Sequence, residues 1–398
     1  MRHAVFAAAL ALMPLPLLAD PAPLSAEIAA QGLSATEARL AALTDPAPPD
    51  LFALAGLRFL TGIEAALQLR WQTGARSDWS ELPVLRLPIP ENPAPRPFSG
   101  ADLEALLTGL AVDMTAAQVA LNQLGPRDFV LEIAVDDLWF DINANAARDP
   151  GESLAEVAGL ALGGRGMTGA DVASPVIRFD TADAAWLSAY THFLSAFAEL
   201  ALAYDPAPAV DGVMASSAAM YDLWGETPPS NAWDFMFGRQ VDRVAMVLNA
   251  LAQQPDPERT RSAHAHLLAM VEENRRFWAL VEAETDNERE WIPNDRQISG
   301  LGIAMPPGLG ERWQAVLADA EKMLKGELLI PHWRYGAEAG IDLRLLFENP
   351  PRVDLVGVVQ GAALLPYARK GLLASPLSWN EFSRLVQGDA MLFAVLLN

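Results

Sequence analysis

Oxygen-bearing side chains recur through one short segment, residues 141–152, which reads DINANAARDPGE. Its first, third, fifth, ninth and twelfth positions hold Asp141, Asn143, Asn145, Asp149 and Glu152. At the seventh position, Ala147 can offer its backbone carbonyl oxygen. Calcium takes about six to eight hard oxygen ligands, which a tight loop supplies from alternate residues and one bidentate carboxylate. The spacing therefore predicts that these six residues form a calcium site.

The segment resembles the twelve-residue calcium loop of EF-hand and dockerin-like proteins. Two residues depart from the pattern. Ala146 stands at the sixth position, where the family has glycine because the turn needs a positive φ, and Arg148 stands at the eighth, where an aliphatic residue packs. The resemblance implies a structural ion rather than a catalytic one. Because only three of the ligands are carboxylates, it also implies weak binding, with a Kd of about 10⁻⁴–10⁻³ M.

An ordinary turn is the alternative for this loop, because Asn, Asp, Pro and Gly also favour turns that bind no metal. The preceding residues, 128–140, are rich in β-branched and aromatic types, which predicts an extended segment. A paired EF-hand would have a helix there instead. We therefore expect an isolated calcium loop.

A polar stripe follows one face of the helix predicted from Thr181. Its members recur every three or four residues: Ser188, His192, Ser195 and Glu199. Together they have the chemistry of a nucleophile, a base and an orienting acid. A single straight helix rarely arranges such groups productively, and no G-x-S-x-G turn surrounds these serines. The stripe favours a solvated or interhelical polar face.

Two later histidines, His264 and His266, are two residues apart, so they point to different sides of a helix. His266 and Glu273 share a face, but their spacing is too long for a common ion without a third ligand. Structural roles are favoured for all three.

Two tryptophan-containing segments have the composition of a polar ligand pocket. The first contains Glu290, Trp291, Asn294, Asp295 and Arg296, and the second contains His332, Trp333, Arg334 and Tyr335. An indole ring can stack on a sugar while amides and carboxylates bond its hydroxyls, so the composition is typical of a site for a small polar ligand or a glycan. The chain has 11 Trp, so such segments also arise by chance.

The composition excludes several classes of protein. The 398 residues include no cysteine, which excludes disulfides, cysteine nucleophiles and thiolate metal sites. The chain has 28 Lys and Arg against 50 Asp and Glu, which gives a net charge of −22. This charge argues against nucleic acid as a partner, because contacts with phosphate need clustered Lys and Arg. Hydrophobic residues make up 52% of the chain, which is enough for a large core.

Residues 1–19 have the pattern of a secretory signal peptide. Arg2 supplies positive charge, residues 4–18 form an apolar run, and Ala19 offers a small residue for cleavage. The run contains two prolines and is short for a membrane-spanning helix. The sequence therefore predicts export to the periplasm and no transmembrane span.

The apolar periodicity is mostly helical and predicts a mainly α, compact globular protein with a short extended element beside the calcium loop. Helices are predicted over 23–44, 51–72, 99–124, 181–203, 232–253, 256–284, 308–325 and 380–396. Asp50 can cap the second of these helices, Ser99 begins the third with Asp102 as an early acidic residue, and Asp180 with Asp183 can cap the fourth. Strands are predicted within 128–140 and at 176–180, and residues 74–99 read as a loop with at most an edge strand. An aromatic stripe on the helix from Thr181 predicts a core face formed by Trp186, Tyr190, Phe193, Phe197, Leu200 and Tyr204.

We expect one mainly helical domain over residues 20–398, with any weak boundary falling in 74–100 or 140–180. The loop, the stretch AAWLSAYTHFLSAFAELALAYD and the stretch PHWRYGAEAGIDLRLLFENP resemble an uncharacterised family of exported proteobacterial proteins. That resemblance implies that the protein is exported and that it has the loop. It gives no indication of an activity.

Two functions from different classes follow. The first is an exported binding or structural protein that a calcium loop stabilises. The alternative is a hydrolase of envelope material, with carboxylates such as Glu290 and Asp295 near the tryptophan segments as its acid and base. The first is favoured because no catalytic set has the required spacing.

Overall fold

A computed structural model describes residues 24–75, 87–158, 175–223, 238–302 and 306–385. The predicted signal peptide, residues 1–19, lies outside these residues. The described helices are, in chain order, α1 (Leu24–Ala41), α2 (Pro48–Thr73), α3 (Gly100–Leu124), α4 (Leu154–Ala158), α5 (Thr181–Ala203), α6 (Pro206–Asp222), α7 (Arg239–Leu251), α8 (Pro257–Ala283), α9 (Leu309–Leu324), α10 (Leu343–Glu348), α11 (Leu355–Gln360) and α12 (Leu377–Leu385). The mainly α prediction is confirmed.

Short antiparallel strands form two small sheets among the described residues. Strand β1 (Leu131–Ala134) pairs with β2 (Val176–Phe179), with Leu131 opposite Phe179. The second sheet has the order β3 (Ile330–Pro331), β4 (Ala339–Ile341) and β5 (Ala368–Lys370). The two strands of the first sheet were predicted, although their pairing was not. The second was not, because two- and three-residue strands leave no alternating pattern to detect.

Helix α3 begins where its cap was predicted, because the Ser99 hydroxyl and the Asp102 carboxylate bond each other's backbone N–H. Asp180 and Asp183 cap α5 in the same way. Helix α2 begins earlier than predicted, at Pro48, since proline suits the first turn. Asp50 is therefore not the cap itself but lies inside the first turn, where it accepts a hydrogen bond from the Ala47 N–H at 3.0 Å.

Helix α6 was not predicted, because two prolines occur in its first turn and its small residues give a weak apolar stripe. Only parts of two predicted helices, 232–253 and 380–396, fall within the described residues, as α7 and α12. Half of the predicted edge-strand segment, 84–86 of 84–89, lies outside them, and residues 87–89 are in no strand.

The core is built around α5 and α8, which run antiparallel and make the most extensive helix–helix contact among the described residues. Their direction follows from two contacts, His192 with His266 and Glu199 with Arg259. Small residues such as Ala189 and Ala263 are fully buried and allow close approach. Helix α3 packs against both α2 and α5.

The aromatic stripe of α5 was predicted to be a core face along its whole length, and this is wrong at Phe197. Trp186 is buried and Tyr190 packs on Phe59, but Phe197 is 44% exposed. Ser195, on the polar stripe, is buried between helices, as the interhelical alternative predicted, and accepts a hydrogen bond from the Gln118 amide at 3.3 Å. Periodicity favours large residues, whereas close helix packing favours small ones.

Residues 329–373, which we call the C-terminal lobe, close on themselves. The Leu329 N–H donates to the Leu372 carbonyl at 2.8 Å, and β3, β4 and β5 lie between these residues. The lobe has its own small cluster of buried side chains, Ile341, Leu364 and Tyr367.

Among the described residues, α3 alone is long and apolar enough to cross a membrane by length and composition. Its Met114 and Ala117 side chains are fully buried within the protein. The described part of the chain therefore has no clear transmembrane span.

Candidate functional site

The two ends of the predicted calcium loop are held together by backbone hydrogen bonds. The Phe140 N–H donates to the Glu152 carbonyl at 2.8 Å, and the Leu154 N–H donates to the Leu138 carbonyl at 2.9 Å. These bonds close residues 141–152 into a compact loop, which leaves β1 through a short 3₁₀ turn and leads into α4.

The ligand-type side chains of the loop all form hydrogen bonds within it. Asp141 accepts hydrogen bonds from the backbone N–H groups of Asn145 and Ala146, each at 2.9 Å. The amide groups of Asn143 and Asn145 both donate to Oδ2 of Asp149, at 2.8 Å. The oxygens of the same two amides accept from backbone N–H groups of the loop, Asn143 from Asn145 at 3.0 Å and Asn145 from Ala147 at 2.8 Å.

The loop backbone makes the sharp turns that a calcium loop needs. Ala146, at the sixth position, has φ 60°, although its Cβ was expected to resist this conformation. Ala144 also lies in the left-handed region, with φ 59°. For a residue other than glycine this conformation costs about 1–2 kcal/mol, so the surrounding hydrogen bonds must hold it.

Glu152 closes the loop from a fully buried position. Its Oε1 accepts from the Ile142 N–H at 3.0 Å and its Oε2 from the Asp149 N–H at 2.8 Å. Burial raises the pKa of this carboxyl, since the charged form loses water. Both oxygens therefore face the loop, as a twelfth-position ligand requires.

Helix α2 holds the loop through two side chains that the sequence did not single out. The Asp141 N–H donates to Oε2 of Glu64 at 2.7 Å, and the Gln68 amide donates to the Asp141 carbonyl at 2.8 Å. Burial raises the pKa of Glu64 to about 7. The two residues are one helical turn apart, and only the approach of α2 to the loop reveals their role.

Helix α1 is joined to the same region through Trp139, two residues before the loop begins at Asp141. The Trp139 indole N–H donates to the Ile28 carbonyl at 3.0 Å, and its ring lies against Gly32. Gly32 has φ 80°, where α1 kinks, so the ring occupies the space that a side chain would need. The loop is thus tied to two helices of the core.

A second group of oxygen ligands lies where α5 begins and α8 ends. One carboxylate oxygen from each of Asp180, Glu284 and Glu290 lies within 4.8 Å of the other two. Burial raises the pKa of Glu284 to about 7 and also raises that of Glu290. Such a group can hold a hard cation or share protons among its members.

Two neighbours modify the charge of this carboxylate cluster. Burial raises the pKa of Asp183 well above its ordinary value, and the charge of Asp180 adds to the effect. Arg178 lies on the other side, with a nitrogen 3.2 Å from the Asp286 carboxylate and 3.7 Å from that of Asp180. The sequence predicted Asp180 and Asp183 only as helix caps and Glu290 only as an acid/base candidate.

The polar residues Asn294, Asp295 and Arg296 of the first tryptophan segment hydrogen-bond to backbone groups. The Asn294 amide donates to the Val281 carbonyl at 2.8 Å, and the Asp295 carboxylate accepts from the Gly308 N–H at 3.0 Å. The Trp291 ring packs 5.5 Å from that of Trp186. The Arg296 guanidinium donates to the carbonyl of Glu282 at 2.7 Å.

The second tryptophan segment lies in the C-terminal lobe and packs on α11. His332 bonds through Nε2 to the Val358 carbonyl at 3.0 Å, and the Trp333 indole N–H donates to the Val359 carbonyl at 3.0 Å. Glu290 instead lies near Asp180 and Glu284, and its carboxylate accepts from the Glu288 N–H at 2.9 Å. The candidates Glu290, Asp295 and His332 thus each hydrogen-bond to a different backbone group.

A histidine pair joins α5 to α8. Nδ1 of His192 lies 2.8 Å from Nδ1 of His266, and burial lowers the pKa of His192 to about 4. Near the pair, Glu199 and Arg259 form an ion pair at 3.0 Å. The polar stripe of α5 therefore lies between helices, and its histidine partner comes from the other helix rather than from the stripe.

No protein-family model matches the chain, and no curated protein or solved structure matches it either. Function must therefore be argued from the residues and geometry of this protein itself.

Proposed function

We propose that the protein is an exported, mainly helical binding or structural protein whose loop 141–152 binds Ca²⁺ as a stabilising staple. The observation that carries the proposal is that one closed loop holds Asp141, Asn143, Asn145, Asp149 and Glu152 at the ligand spacing, with all five side chains hydrogen-bonded inside it. The carbonyl of Ala147 is the sixth ligand in the proposal. The left-handed backbone at Ala146 supports it, because that position of a calcium loop needs a positive φ.

A structural role fits the loop better than a catalytic one. Its anchors, Trp139, Glu64 and Gln68, connect it to the core helices α1 and α2 rather than to an open cleft. Without a cation, Asp141, Asp149 and Glu152 place three carboxyl groups in one small loop. A divalent cation would offset their mutual repulsion and so favour the folded state.

Export of the protein is consistent with the weak calcium affinity expected for the loop. The pattern of residues 1–19 is that of a signal peptide, and a chain without cysteine needs no disulfide for its stability outside the cytoplasm. Weak calcium loops, with Kd values of about 10⁻⁴–10⁻³ M, belong to extracytoplasmic modules. We therefore place the protein in the periplasm in this proposal.

The test is a comparison of thermal melts for residues 20–398 in about 10 mM calcium and in chelator. With a Kd of about 10⁻⁴–10⁻³ M, calcium should add about 1.4–2.7 kcal/mol and raise Tm by about 2–4 °C. Calorimetric titration with calcium should give one site per chain. Asp141→Asn should abolish the Tm shift, since it removes a carboxylate ligand while keeping the shape.

Asp128→Asn is the matched control, because Asp128 is an exposed carboxylate outside the loop. This variant should keep the full calcium shift. Identical melts of the natural chain in calcium and chelator would overturn the proposal. So would a calcium shift that both variants retain, since the ion would then bind elsewhere, for example at Asp180, Glu284 and Glu290.

A further inference from the structure

A shallow apolar groove lies on the C-terminal lobe, between the turn that follows β3 and helix α11, and is closer to a flat surface than to an enclosed cavity. The open space above it is about 540 Å³, and it is lined by Trp333, Arg334, Leu355, Val356, Val359 and Gln360. The calcium proposal does not involve these residues, and the groove raises a separate question of what it contacts.

The apolar side chains of the groove project into solvent. Trp333 is 75% exposed and Val356 is 79% exposed. The backbone beneath them is nevertheless held in place, because the Trp333 indole N–H donates to the Val359 carbonyl and the Tyr335 hydroxyl donates to the carbonyl of Gly361. These apolar side chains are therefore exposed on a backbone that hydrogen bonds hold in place. Exposed apolar patches of this kind mark interaction sites.

The charge of the groove differs from that of the whole protein. Arg334 is its single charged lining residue, and the guanidinium lies 5.4 Å from the centre of the Trp333 ring. The C-terminal lobe has five Lys and Arg against four Asp and Glu, whereas the chain as a whole has a net charge of −22. The lobe is thus nearly neutral, with a net charge of +1, and the charge that the groove lining itself presents is the Arg334 cation, which suits an anionic partner.

The exposure of the lining residues argues against a small ligand. Sites for small molecules are concave and bury about 70–90% of the ligand surface, which protruding side chains cannot do. A glycan needs several hydrogen-bonding groups, but the lining offers only Arg334 and Gln360. Protruding Trp and aliphatic side chains beside an Arg are instead typical of proteins that insert into the interface of a lipid bilayer.

We propose that this groove face docks on the surface of an anionic phospholipid bilayer. Trp333, Leu355, Val356 and Val359 insert at the level of the headgroups, and Arg334 pairs with lipid phosphate. The acidic bulk of the protein then faces away from the membrane, where at physiological salt its charge is screened within about 8 Å.

The test is flotation of the mature chain with phosphatidylglycerol vesicles and with phosphatidylcholine vesicles. Chelator is present throughout, so that calcium cannot bridge the protein to lipid and the outcome is independent of the calcium proposal. We expect co-flotation with the anionic vesicles that weakens as salt is added. Arg334→Gln should reduce it about five-fold, because one basic residue contributes about 1 kcal/mol near such a surface.

Two double variants separate this surface from the rest of the molecule. Val356→Ser with Val359→Ser should lower vesicle binding about ten-fold, since two inserted apolar side chains are lost. Val112→Ser with Val119→Ser, on α3, is the matched control, because these valines are also exposed and helical. The control should bind vesicles like the natural chain, and unchanged melts should verify that both variants fold.

Three outcomes would overturn the proposal. The first is an absence of vesicle binding, and the second is equal binding to both lipids. The third is an equal loss in the α3 control, which would assign the membrane contact to another surface. Gel filtration distinguishes a second copy as the occupant: a dimer that Val356→Ser with Val359→Ser disrupts, without vesicle binding, would also overturn it.

Discussion

At the scale of single residues, the calcium loop depends on backbone conformations that its own residues disfavour. Ala144 and Ala146 both have positive φ values although each carries a Cβ. Bonds from the Asn145 and Ala146 N–H groups to the Asp141 carboxylate hold the turn in this shape. The loop backbone is therefore strained at two alanines, and replacing an alanine with glycine should relieve that strain.

We predict that Ala146→Gly stabilises the protein. Glycine removes a left-handed penalty of about 1–2 kcal/mol but makes the unfolded chain more flexible, so the net gain should be about 0.5–1 kcal/mol. Chemical denaturation in chelator measures it.

Ala147→Gly is the control for this prediction, because Ala147 is one residue further on and has no positive φ. It should give no gain or a small loss. Equal stabilisation by both glycines would show that the conformation of Ala146 is not the cause.

At the scale of elements, the contact between α5 and α8 contains a pair of imidazoles that cannot both be charged at low cost. Nδ1 of His192 and Nδ1 of His266 are 2.8 Å apart, so at most one of them can donate to the other. Burial, and then the neighbouring His266, lower the pKa of His192 to about 4. Burial also lowers the pKa of His266, which the charge of Glu199 partly opposes.

This pair should make the protein less stable in acid. The unfolded histidine has a pKa near 6.5, so between about pH 6.5 and 4 the unfolded chain binds protons that the folded chain does not. The free energy of unfolding therefore falls as the pH is lowered through that window and is fully restored above it. Buried carboxyls with raised pKa values, such as Glu284, act in the opposite sense, so a variant must isolate the histidines.

His192→Gln should lose less stability than the natural chain between pH 7 and 4.5. The difference should be about 1–2 kcal/mol, since the pair is partly exposed and solvent screens its repulsion. Denaturant unfolding at several pH values measures it. His264→Gln, whose ring bonds the Leu324 carbonyl, should follow the natural chain, and parallel curves for His192→Gln and the natural chain would contradict the prediction.

At the scale of the whole molecule, the calcium loop and the groove lie in different parts of the fold. The loop is joined to α1 and α2, which contribute to the large core together with α5 and α8. The C-terminal lobe has a separate small cluster of buried residues and its own sheet. Its Asp342 is fully buried and pairs with Arg369 at 2.8 Å.

Calcium should therefore protect one part of the molecule and not the other. In hydrogen–deuterium exchange, calcium should slow the amides of residues 139–153 and those near Ile28 and Gln68. The amides of 329–373 should exchange equally fast with and without the ion. Uniform slowing throughout the chain would show global stabilisation instead, and no slowing near Gln68 would contradict the link between α2 and the loop.

Helices with strong caps or strong periodicity could be predicted from the sequence alone. Ser99 and Asp180 marked the starts of α3 and α5, because a capping side chain acts on backbone groups within three residues of itself. The sequence also located the candidate calcium loop, whose ligand positions are all local. Helix α6, with prolines in its first turn and no strong stripe, had no such local signal.

The contacts between side chains distant in the sequence could not be predicted and are seen only in the folded protein. The tertiary structure placed Glu64 beside Asp141, His192 beside His266, and Asp180 beside Glu284. It also left Phe197 of the aromatic stripe exposed and buried Ser195 between helices. The physical reason is that helix propensity, caps and turns act between near neighbours in the chain. Burial and long-range pairing depend on how closely whole helices approach, and the small residues that permit the approach carry little apolar signal.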